Sequence, residues 1–338
     1  MRPHFGKIVT ICGFLAGLAL TAWFISRVGI PLLLAGFNAV GWGVLLVITV
    51  RAVVVVTNGV AWSRLLARLS KVPLWVFVCL RWFRESADCL LPLAGISGAV
   101  IGARALTFWN VRGGLSVASV VADLLLQTTA QVLFALVGLT VLWPQLEGSG
   151  AWLVIGGAAI VASIVLGGFY AVQRHGGAHV IDRTFVLISA QVASGRQYAG
   201  PGFHDASEKI WHGRRGYVFA DLALHVIAWT IGTLEVWITL HWMGLSVSVQ
   251  QALVLESLGT SISSAAFFVP GSWGIQEGGY ILIGQFLGLP VEASLLLSLV
   301  KRVPDLVLGV PGLAAWYAVA TKQFLLPRSH GQTGNFAN

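Results

Sequence analysis

Apolar runs of membrane-spanning length recur along this chain, and they constrain its fold more than any other feature. A helix needs about 20 apolar residues to cross the hydrocarbon core of a bilayer. Since 57% of the 338 residues are hydrophobic and only 10% are charged, the chain has too little polar surface for a soluble globule. We predict an all-α polytopic integral membrane protein with about six full spans, near 8–26, 42–62, 115–142, 151–172, 217–242 and 291–320.

Two further apolar stretches, about 74–110 and 250–288, are interrupted near the middle by proline and glycine. The interruptions are Leu91 to Gly95 in the first stretch and Val269 to Gly271 in the second. Proline does not continue a helix, and broken backbone is tolerated in a membrane only against protein or a wet cavity. Each stretch is therefore predicted to form a re-entrant helical hairpin, and two fully spanning hairpins stay open as an alternative.

The distribution of Lys and Arg predicts the orientation in the membrane. Segments 143–150 and 243–250 carry no Lys or Arg, and the connection 27–41 carries only Arg27, whereas basic residues cluster in 1–7, 63–73, 173–216 and after 321. Basic loops face the cytoplasm. Both termini are therefore expected to be cytoplasmic, and the first apolar run is expected to be a retained span because it lacks a clear cleavage site.

The order span, broken hairpin, span occurs twice, at about 42–142 and 217–320. By the charge argument the first unit begins outside and the second inside, so the two are predicted to be inverted repeats around a midplane site. A single transmembrane domain is expected over 1–326, with a cytoplasmic basic loop at 173–216 and a disordered polar tail at 327–338. That loop is expected to attract anionic lipid.

Many acidic residues fall inside the predicted membrane segments, where a charge at mid-bilayer costs about 2.5–3.5 kcal/mol. On one face of the first hairpin, helical spacing allows the pairs Arg81–Glu85 and Arg84–Asp88. This face indicates either a structural ion-pair network or a polar cavity that attracts a headgroup. The acidic residues in question are Glu85, Asp88, Asp123, Asp221, Glu235, Glu256, Glu277 and Asp305.

Two other helices carry polar stripes that predict inward-facing sides. Asp123 begins a stripe spaced by four with Gln127 and Gln131, and Asp221, His225, Gly232 and Glu235 share one face of a helix. His225 follows Asp221 by one turn, which leaves a metal site or proton relay open. Because no third ligand has diagnostic spacing, a helix–helix hydrogen bond is favoured, and no metal or cofactor is predicted. Arg51 and Asn58 share a face of the second span, from which we expect an Arg–carboxylate contact to 217–242.

The second hairpin is predicted to hold a headgroup site. Gly271, Gly274, Gly278 and Gly279 around Pro270 let the backbone turn tightly and expose amides. A half-helix from about Ile275 to Phe286 would then point its N-terminal amides into a cavity where an anionic headgroup binds. Glu277 would cap those amides, pair with Lys301 or Arg302, or carry a proton. Asp305 continues the charged cluster on the final span.

The segment VPGSWGIQEGG at 269–279, followed by LGLP at 287–290 and SLVKR at 298–302, resembles the signature of the lysylphosphatidylglycerol synthase transmembrane (flippase-like) family. The variant is most similar to the membrane protein associated with hopanoid biosynthesis in bacteria. The first turn, LPLAGISG at 91–98, lacks the basic and acidic pair that the family commonly carries there, whereas Arg104 matches a downstream basic position. Full-length lysyl-lipid enzymes of the family append a soluble aminoacyl-transferase domain. The chain ends at Asn338, so that activity is not expected here.

The resemblance implies a non-enzymatic lipid translocase of the bacterial inner membrane, for anionic phospholipid or for hopanoids and their polar derivatives. The alternatives are a membrane-embedded transferase with Glu277 or Asp88 as general base, and a scaffold for lipid-biosynthetic enzymes that uses the basic loop. No nucleic-acid partner is expected. The residues predicted to contact or gate the lipid are Arg84, Glu85, Asp88, Arg104, Asp123, Glu256, Pro270, Gly271, Gly274, Glu277, Gly278, Lys301, Arg302 and Asp305.

Overall fold

A computed structural model describes residues 3–91, 97–145, 203–212, 215–266 and 269–325, and within these ranges the chain is helical, with no strand. The all-α prediction is therefore confirmed over the described ranges, and the span predicted at 151–172 lies outside them. The helices are α1 Pro3–Val28, α2 Ile30–Val40, α3 Gly43–Leu66, α4 Leu74–Leu90, α5 Ser97–Thr107, α6 Gly113–Leu142, α7 Phe203–His212, α8 Arg215–Trp242, α9 Val249–Ala265, α10 Ile275–Phe286 and α11 Val291–Leu325.

Three of these helices are long and apolar enough to cross a membrane, and they lie at three of the predicted spans. They are α3, α6 and, in α8, the stretch Gly216–Trp242. The predicted spans 8–26 and 291–320 lie within α1 and α11, and α11 runs unbroken through Pro304 and Pro311. The fold is that of a helical polytopic membrane protein.

The prediction that residues 27–41 form a loop is wrong, because the helix α2 occupies most of this segment. Helices α1 and α2 meet at 89°, with Gly29 at the corner in the left-handed region at φ +91°. Pro31 stands in the first turn of α2, where a missing N–H costs no hydrogen bond. Leu33 and Val40 on α2 are buried in an apolar cluster with Leu296 of α11, so packing against α11 stabilises a segment that reads locally as a loop.

A short helix also lies within the predicted basic loop 173–216. Helix α7 places Ala206 and Ile210 in the apolar core with residues of α6. Its one-sided apolar pattern accounts for this docking. The remainder of the loop, up to residue 202, is outside the described ranges.

Each interrupted stretch contains two helices, and the second stretch is broken between them as predicted. Helix α4 packs on α5 in the first hairpin, and α9 packs on α10 in the second. The second break contains a 3₁₀ turn at Pro270–Ser272, with Gly271 at φ +64° and Gly274 at φ +75°. The first break, at 92–96, is outside the described ranges.

The prediction that Gly278 and Gly279 belong to the turn is wrong, since both lie inside α10. The small size of Gly279 serves packing instead, since a Cβ there would lie 3.1 Å from Ile262 Cγ2 on α9. A Cβ at Gly278 would make an ordinary contact of 3.6 Å with Phe24 on α1. Of the four glycines, Gly271 and Gly274 alone have a positive φ, which other residues rarely adopt.

The two predicted repeat units pack against each other reciprocally. Their first helices, α3 and α8, lie side by side. Helix α4 of the first hairpin packs on α11 of the second unit, and α9 of the second hairpin packs on α6 of the first unit. If the two units exchange places, the pair α4–α11 becomes the pair α9–α6, as a two-fold relation requires. This reciprocity is what the predicted repeat requires, and the repeat itself stays a prediction.

Close approach of α3 and α4 at Gly59 generates a prediction about stability. A Cβ on Gly59 would lie 2.7 Å from Val78 Cα, which is backbone that cannot rotate away. We expect Gly59→Ala to lower the free energy of unfolding in detergent by about 1–3 kcal/mol, because the extra methyl group forces the helices apart. Thermal unfolding followed by circular dichroism measures this loss.

Gly216→Ala is the matched control, since a Cβ there meets no atom within 4 Å. It should leave stability unchanged or raise it slightly, because alanine favours helix over glycine. Equal stability of the two variants would contradict the close α3–α4 contact.

Candidate functional site

Two adjoining cavities lie beside the hairpins: the first borders α4 of the first hairpin, and the second is lined by residues of both hairpins. The turn at Pro270–Ser272 contacts α4, so the break of the second hairpin lies against the first. One cavity has a volume of about 330 Å³ and the other about 400 Å³. Arg51, Asp88, Cys89 and Asp305 line both. The cavities therefore adjoin, and their volumes lie within the usual range of about 300–1,000 Å³ for small-molecule sites.

Polar groups from both units line these cavities. The first cavity is bordered by Arg81, Arg84 and Glu85 of α4 and by Gln127, Thr128 and Gln131 of α6. The second cavity is bordered by Ser263, Ser264, Trp273, Gln276 and Arg302. Thr128 and Ser264 are exposed, so each cavity reaches the surface of the protein.

Arg51 of α3 connects the two units and confirms the predicted Arg–carboxylate contact to α8. Its Nε and Nη2 each donate to one carboxylate oxygen of Glu235, at 2.8 Å in both cases. Its Nη1 lies 3.5 Å from Asp305 Oδ1. The bidentate pair fixes the plane of the guanidinium group. The Arg51 side chain is still 25% exposed, and it lines both cavities.

Lys301 of α11 holds two buried carboxylates together behind the cavities. Its Nζ lies 2.8 Å from Glu235 Oε2 and 2.7 Å from Glu256 Oε2. The Tyr280 hydroxyl donates to Glu256 at 3.1 Å. Among the described residues, Lys301 therefore pairs with Glu235 and Glu256, and the predicted alternative of a pair with Glu277 is not formed.

Glu277 both caps α10 and pairs with Arg302, so two of the predicted roles hold together. Its Oε2 accepts from the Gly274 amide at 2.6 Å, and its Oε1 lies 3.2 Å from Nε and Nη2 of Arg302. Arg302 also donates to the Gly271 carbonyl and stacks over the Trp273 ring, 4.4 Å from its centre. Glu277 is fully buried and lies behind Arg302, which lines the second cavity.

On the first hairpin, the predicted pair Arg81–Glu85 is confirmed at 2.7 Å, whereas Arg84–Asp88 is wrong. Arg84 Nη1 instead donates to Asp123 Oδ2 at 2.7 Å, and Arg81 Nη1 reaches the same oxygen at 3.2 Å. Asp88 Oδ1 accepts from the Gly98 amide at 2.8 Å and so caps α5. Arg84 pairs with Asp123 of α6 rather than with Asp88, which lies one turn further along α4, because α6 packs directly on this hairpin.

The predicted helix–helix hydrogen bond of His225 is also confirmed. The hydrogen bond joins its Nδ1 to Asn58 Oδ1 of α3 at 2.9 Å, and its Nε2 faces Asp123 Oδ1 of α6 at 3.3 Å. Asp221 and Glu235 on the same face of α8 are buried as predicted. Helix α8 thus turns its polar stripe toward both α3 and α6.

The residues predicted as a lipid site divide into three groups. Six line the cavities, namely Arg84, Glu85, Asp88, Gly271, Arg302 and Asp305. Four charged residues are buried behind the linings, namely Asp123, Glu256, Glu277 and Lys301. Gly274 and Gly278 flank or lie in the first turn of α10, Pro270 lies in the 3₁₀ turn, and Arg104 lies on α5.

Arg51 was not among the predicted site residues, although it lines both cavities and pairs across the two units. The available signal was its shared face with Asn58, which predicted the contact but not the cavity. Cys89 and Trp273 are further lining residues that the sequence patterns did not single out. Neither residue type has a spacing that marks a cavity.

The charges of the linings balance. In the first cavity Arg51, Arg81 and Arg84 stand against Glu85, Asp88 and Asp305. In the second, Arg51 and Arg302 stand against Asp88 and Asp305. Donors and acceptors of both signs therefore surround the space, which suits a zwitterionic or hydroxylated group better than a simple anion.

Apolar helices, two interrupted helical stretches and charged residues in the interior together define a multi-pass membrane protein with polar cavities. The chain belongs to the family described as the lysylphosphatidylglycerol synthase TM region, whose family model matches residues 10–312. This membership relates it to membrane proteins of lipid modification or translocation. No curated protein and no solved structure matches the chain.

The Lys301 contacts generate a second stability prediction. Lys301→Met leaves Glu256 buried with only the Tyr280 hydroxyl, while Glu235 keeps Arg51. We expect a loss of about 3–5 kcal/mol in the free energy of unfolding, because a buried charge without its partner is strongly unfavourable. Adding Glu256→Gln should restore much of that loss, since it removes the uncompensated charge. Denaturant unfolding in micelles measures the coupling as a double-mutant cycle.

Lys209→Met, at an exposed position on α7, is the matched control and should be neutral. Additive effects of Lys301→Met and Glu256→Gln would contradict the pairing.

Proposed function

We propose that this protein is a lipid translocase that passes a lipid headgroup through the two adjoining cavities beside its hairpins. The acyl or polycyclic part of the lipid stays in the surrounding bilayer. The observation that carries the proposal is the set of charged side chains on the walls of the two adjoining cavities, in a chain that is otherwise apolar. Ionisable groups within a membrane protein commonly mark a substrate pathway.

The position of the cavities supports this role. They lie between units that pack reciprocally, and each is bordered by a broken hairpin. Secondary transporters place their sites in this way, at the interface of repeats and beside discontinuous helices. Rocking of one unit against the other would open such a site to each leaflet in turn.

Arg51, Arg302 and Asp305 are the groups assigned to the headgroup. Arg51 Nη1 is held toward the cavities by the bidentate pair with Glu235, and its Asp305 contact is long at 3.5 Å. A headgroup phosphate or hydroxyl would exchange with that contact at little cost. Glu277 acts through Arg302, since it orients the guanidinium group and the turn at Gly271.

The balanced charge of the linings bears on the substrate. It favours a zwitterionic phospholipid or a hydroxylated hopanoid derivative over an anionic phospholipid, because a bare anion would leave the lining carboxylates unpaired. The location proposed is the bacterial inner membrane with both termini in the cytoplasm. The proposed cycle involves no covalent step.

Translocation through the cavities predicts that a bulky group at the mouth blocks it. Thr128 is exposed and lines the first cavity, and its hydroxyl donates to the Leu124 carbonyl at 2.8 Å. We expect Thr128→Trp to slow the transbilayer movement of labelled phosphatidylcholine by about tenfold or more, which corresponds to about 1.4 kcal/mol of added barrier. The measurement uses purified protein in liposomes and a membrane-impermeant quencher, with phosphatidylglycerol and a hydroxylated hopanoid as further probes.

Thr230→Trp is the matched control. Thr230 is likewise exposed, its hydroxyl donates to the Val226 carbonyl at 2.8 Å, and it lies outside both linings. This variant should translocate at the wild-type rate. Equal slowing by both tryptophans would contradict a path through the cavity.

Probe movement in liposomes and lipid conversion in detergent together distinguish a translocase from a scaffold and from a transferase. No movement of any probe above protein-free liposomes, with or without a pH gradient, would overturn the translocase proposal in favour of a scaffold. Chemical conversion of a lipid by the protein in detergent, abolished by Asp88→Asn or Glu277→Gln, would overturn it in favour of a transferase.

A further inference from the structure

The neighbours of His225 determine which of its ring nitrogens carries a proton. Asn58 Nδ2 donates to Glu85 Oε1 at 3.4 Å, which turns the amide oxygen of Asn58 toward His225 Nδ1 at 2.9 Å. An amide oxygen only accepts, so Nδ1 is the donor. In a neutral imidazole the other nitrogen, Nε2, then carries a free electron pair.

This free electron pair faces two carboxylate oxygens. His225 Nε2 lies 3.3 Å from Asp123 Oδ1 and 3.5 Å from Asp221 Oδ1. Asp221 is 0% exposed, and neither of its oxygens has a hydrogen-bond partner. Three electron-pair donors thus converge within 4.8 Å in the interior. Such an arrangement is repulsive unless a cation or a proton lies between them.

The charges around this point also favour a cation. The two guanidinium groups, Arg81 and Arg84, stand against four carboxylates, those of Glu85, Asp88, Asp123 and Asp221. With His225 neutral and Asp221 ionised, the forms in which both residues bind a metal, the cluster carries an excess of two negative charges. One divalent cation offsets that excess.

We propose that Asp123, Asp221 and His225 bind a divalent transition-metal ion, with Zn²⁺ as the best fit. Bonds of about 2.0–2.1 Å from a tetrahedral Zn²⁺ place neighbouring ligand atoms about 3.3–3.4 Å apart. The separations of 3.3 and 3.5 Å between His225 Nε2 and the two carboxylate oxygens match this edge. An imidazole with two carboxylates suits Zn²⁺ better than Mg²⁺ or Ca²⁺, which favour oxygen ligands alone.

Outer contacts hold the three ligands in place. Asn58 accepts from the ring nitrogen of His225 that does not face the ion, as partners of metal-bound histidines commonly do. Arg81 and Arg84 occupy only Oδ2 of Asp123, which leaves Oδ1 for the metal. The ion would join α6 to α8 beside the first cavity. It would thereby fix the helix that carries Gln127 and Gln131 in the cavity wall.

The test measures metal directly. Protein purified through a tag without histidine, in buffer without chelator, is supplied with Zn²⁺ and then desalted. We expect one Zn²⁺ per chain by elemental analysis, and visible absorption bands of tetrahedral Co²⁺ after exchange. Asp221→Asn and His225→Gln should lose the ion. Asn58→Ala should keep a single site with affinity weaker by about 10–100-fold.

Asp88→Asn is the control, since it removes the same charge from the same cluster without removing a ligand. It should retain the ion. Loss of Zn²⁺ from this variant as complete as from Asp221→Asn would overturn the proposal in favour of a general attraction of cations. Wild-type protein that holds no more Zn²⁺ or Co²⁺ than Asp221→Asn would also overturn it and would indicate that protons neutralise the cluster.

If the ligand variants misfold, a measurement on the wild-type protein alone still tests the metal site. Zn²⁺ should raise the unfolding temperature of the wild-type protein in proportion to the logarithm of its concentration, whereas Mg²⁺ should not. No shift with Zn²⁺ would contradict the site.

Discussion

The pairing of buried charges at Glu235 is the interaction on which the rest of the structure depends. Arg51 and Lys301 approach this one carboxylate from α3 and α11, and Lys301 continues to Glu256 on α9. In an apolar environment none of these charges is tolerable alone. Four helices from both units are therefore held together at one point, and the hairpin breaks come to lie beside it.

This arrangement explains how an apolar chain encloses polar space. Arg302 ties the turn at Gly271 to Glu277, and Asp88 caps the start of α5. The Gly271 carbonyl and the Gly98 amide are thus satisfied by protein rather than by lipid, as membrane backbone requires. The cavities beside the hairpins are lined by charges of both signs, and the proposed headgroup path follows from that lining.

Predictions from the sequence succeeded where one helix determines the outcome and failed where two helices compete. Hydropathy located α3, α6 and α8, and proline with glycine located the second break. The pair Arg84–Asp88 was wrong although its spacing permits it, because Asp123 of α6 offers a closer partner. Helix α2 was missed because Gly29 and Pro31 are typical of a turn, and only its contact with α11 shows why the helix forms there.

The sequence by itself determined the membrane class, the helical periodicity and which residues must hide their charge, because these depend on composition and local spacing. Only the tertiary structure decided which charges meet. Asp123 and His225 are 102 positions apart in the chain, and no spacing rule links them. Periodicity defines the face of a helix, whereas the neighbour of that face depends on how distant elements pack. For this reason only the fold identifies Asp123 as the third ligand, beside Asp221 and His225, of the proposed metal site.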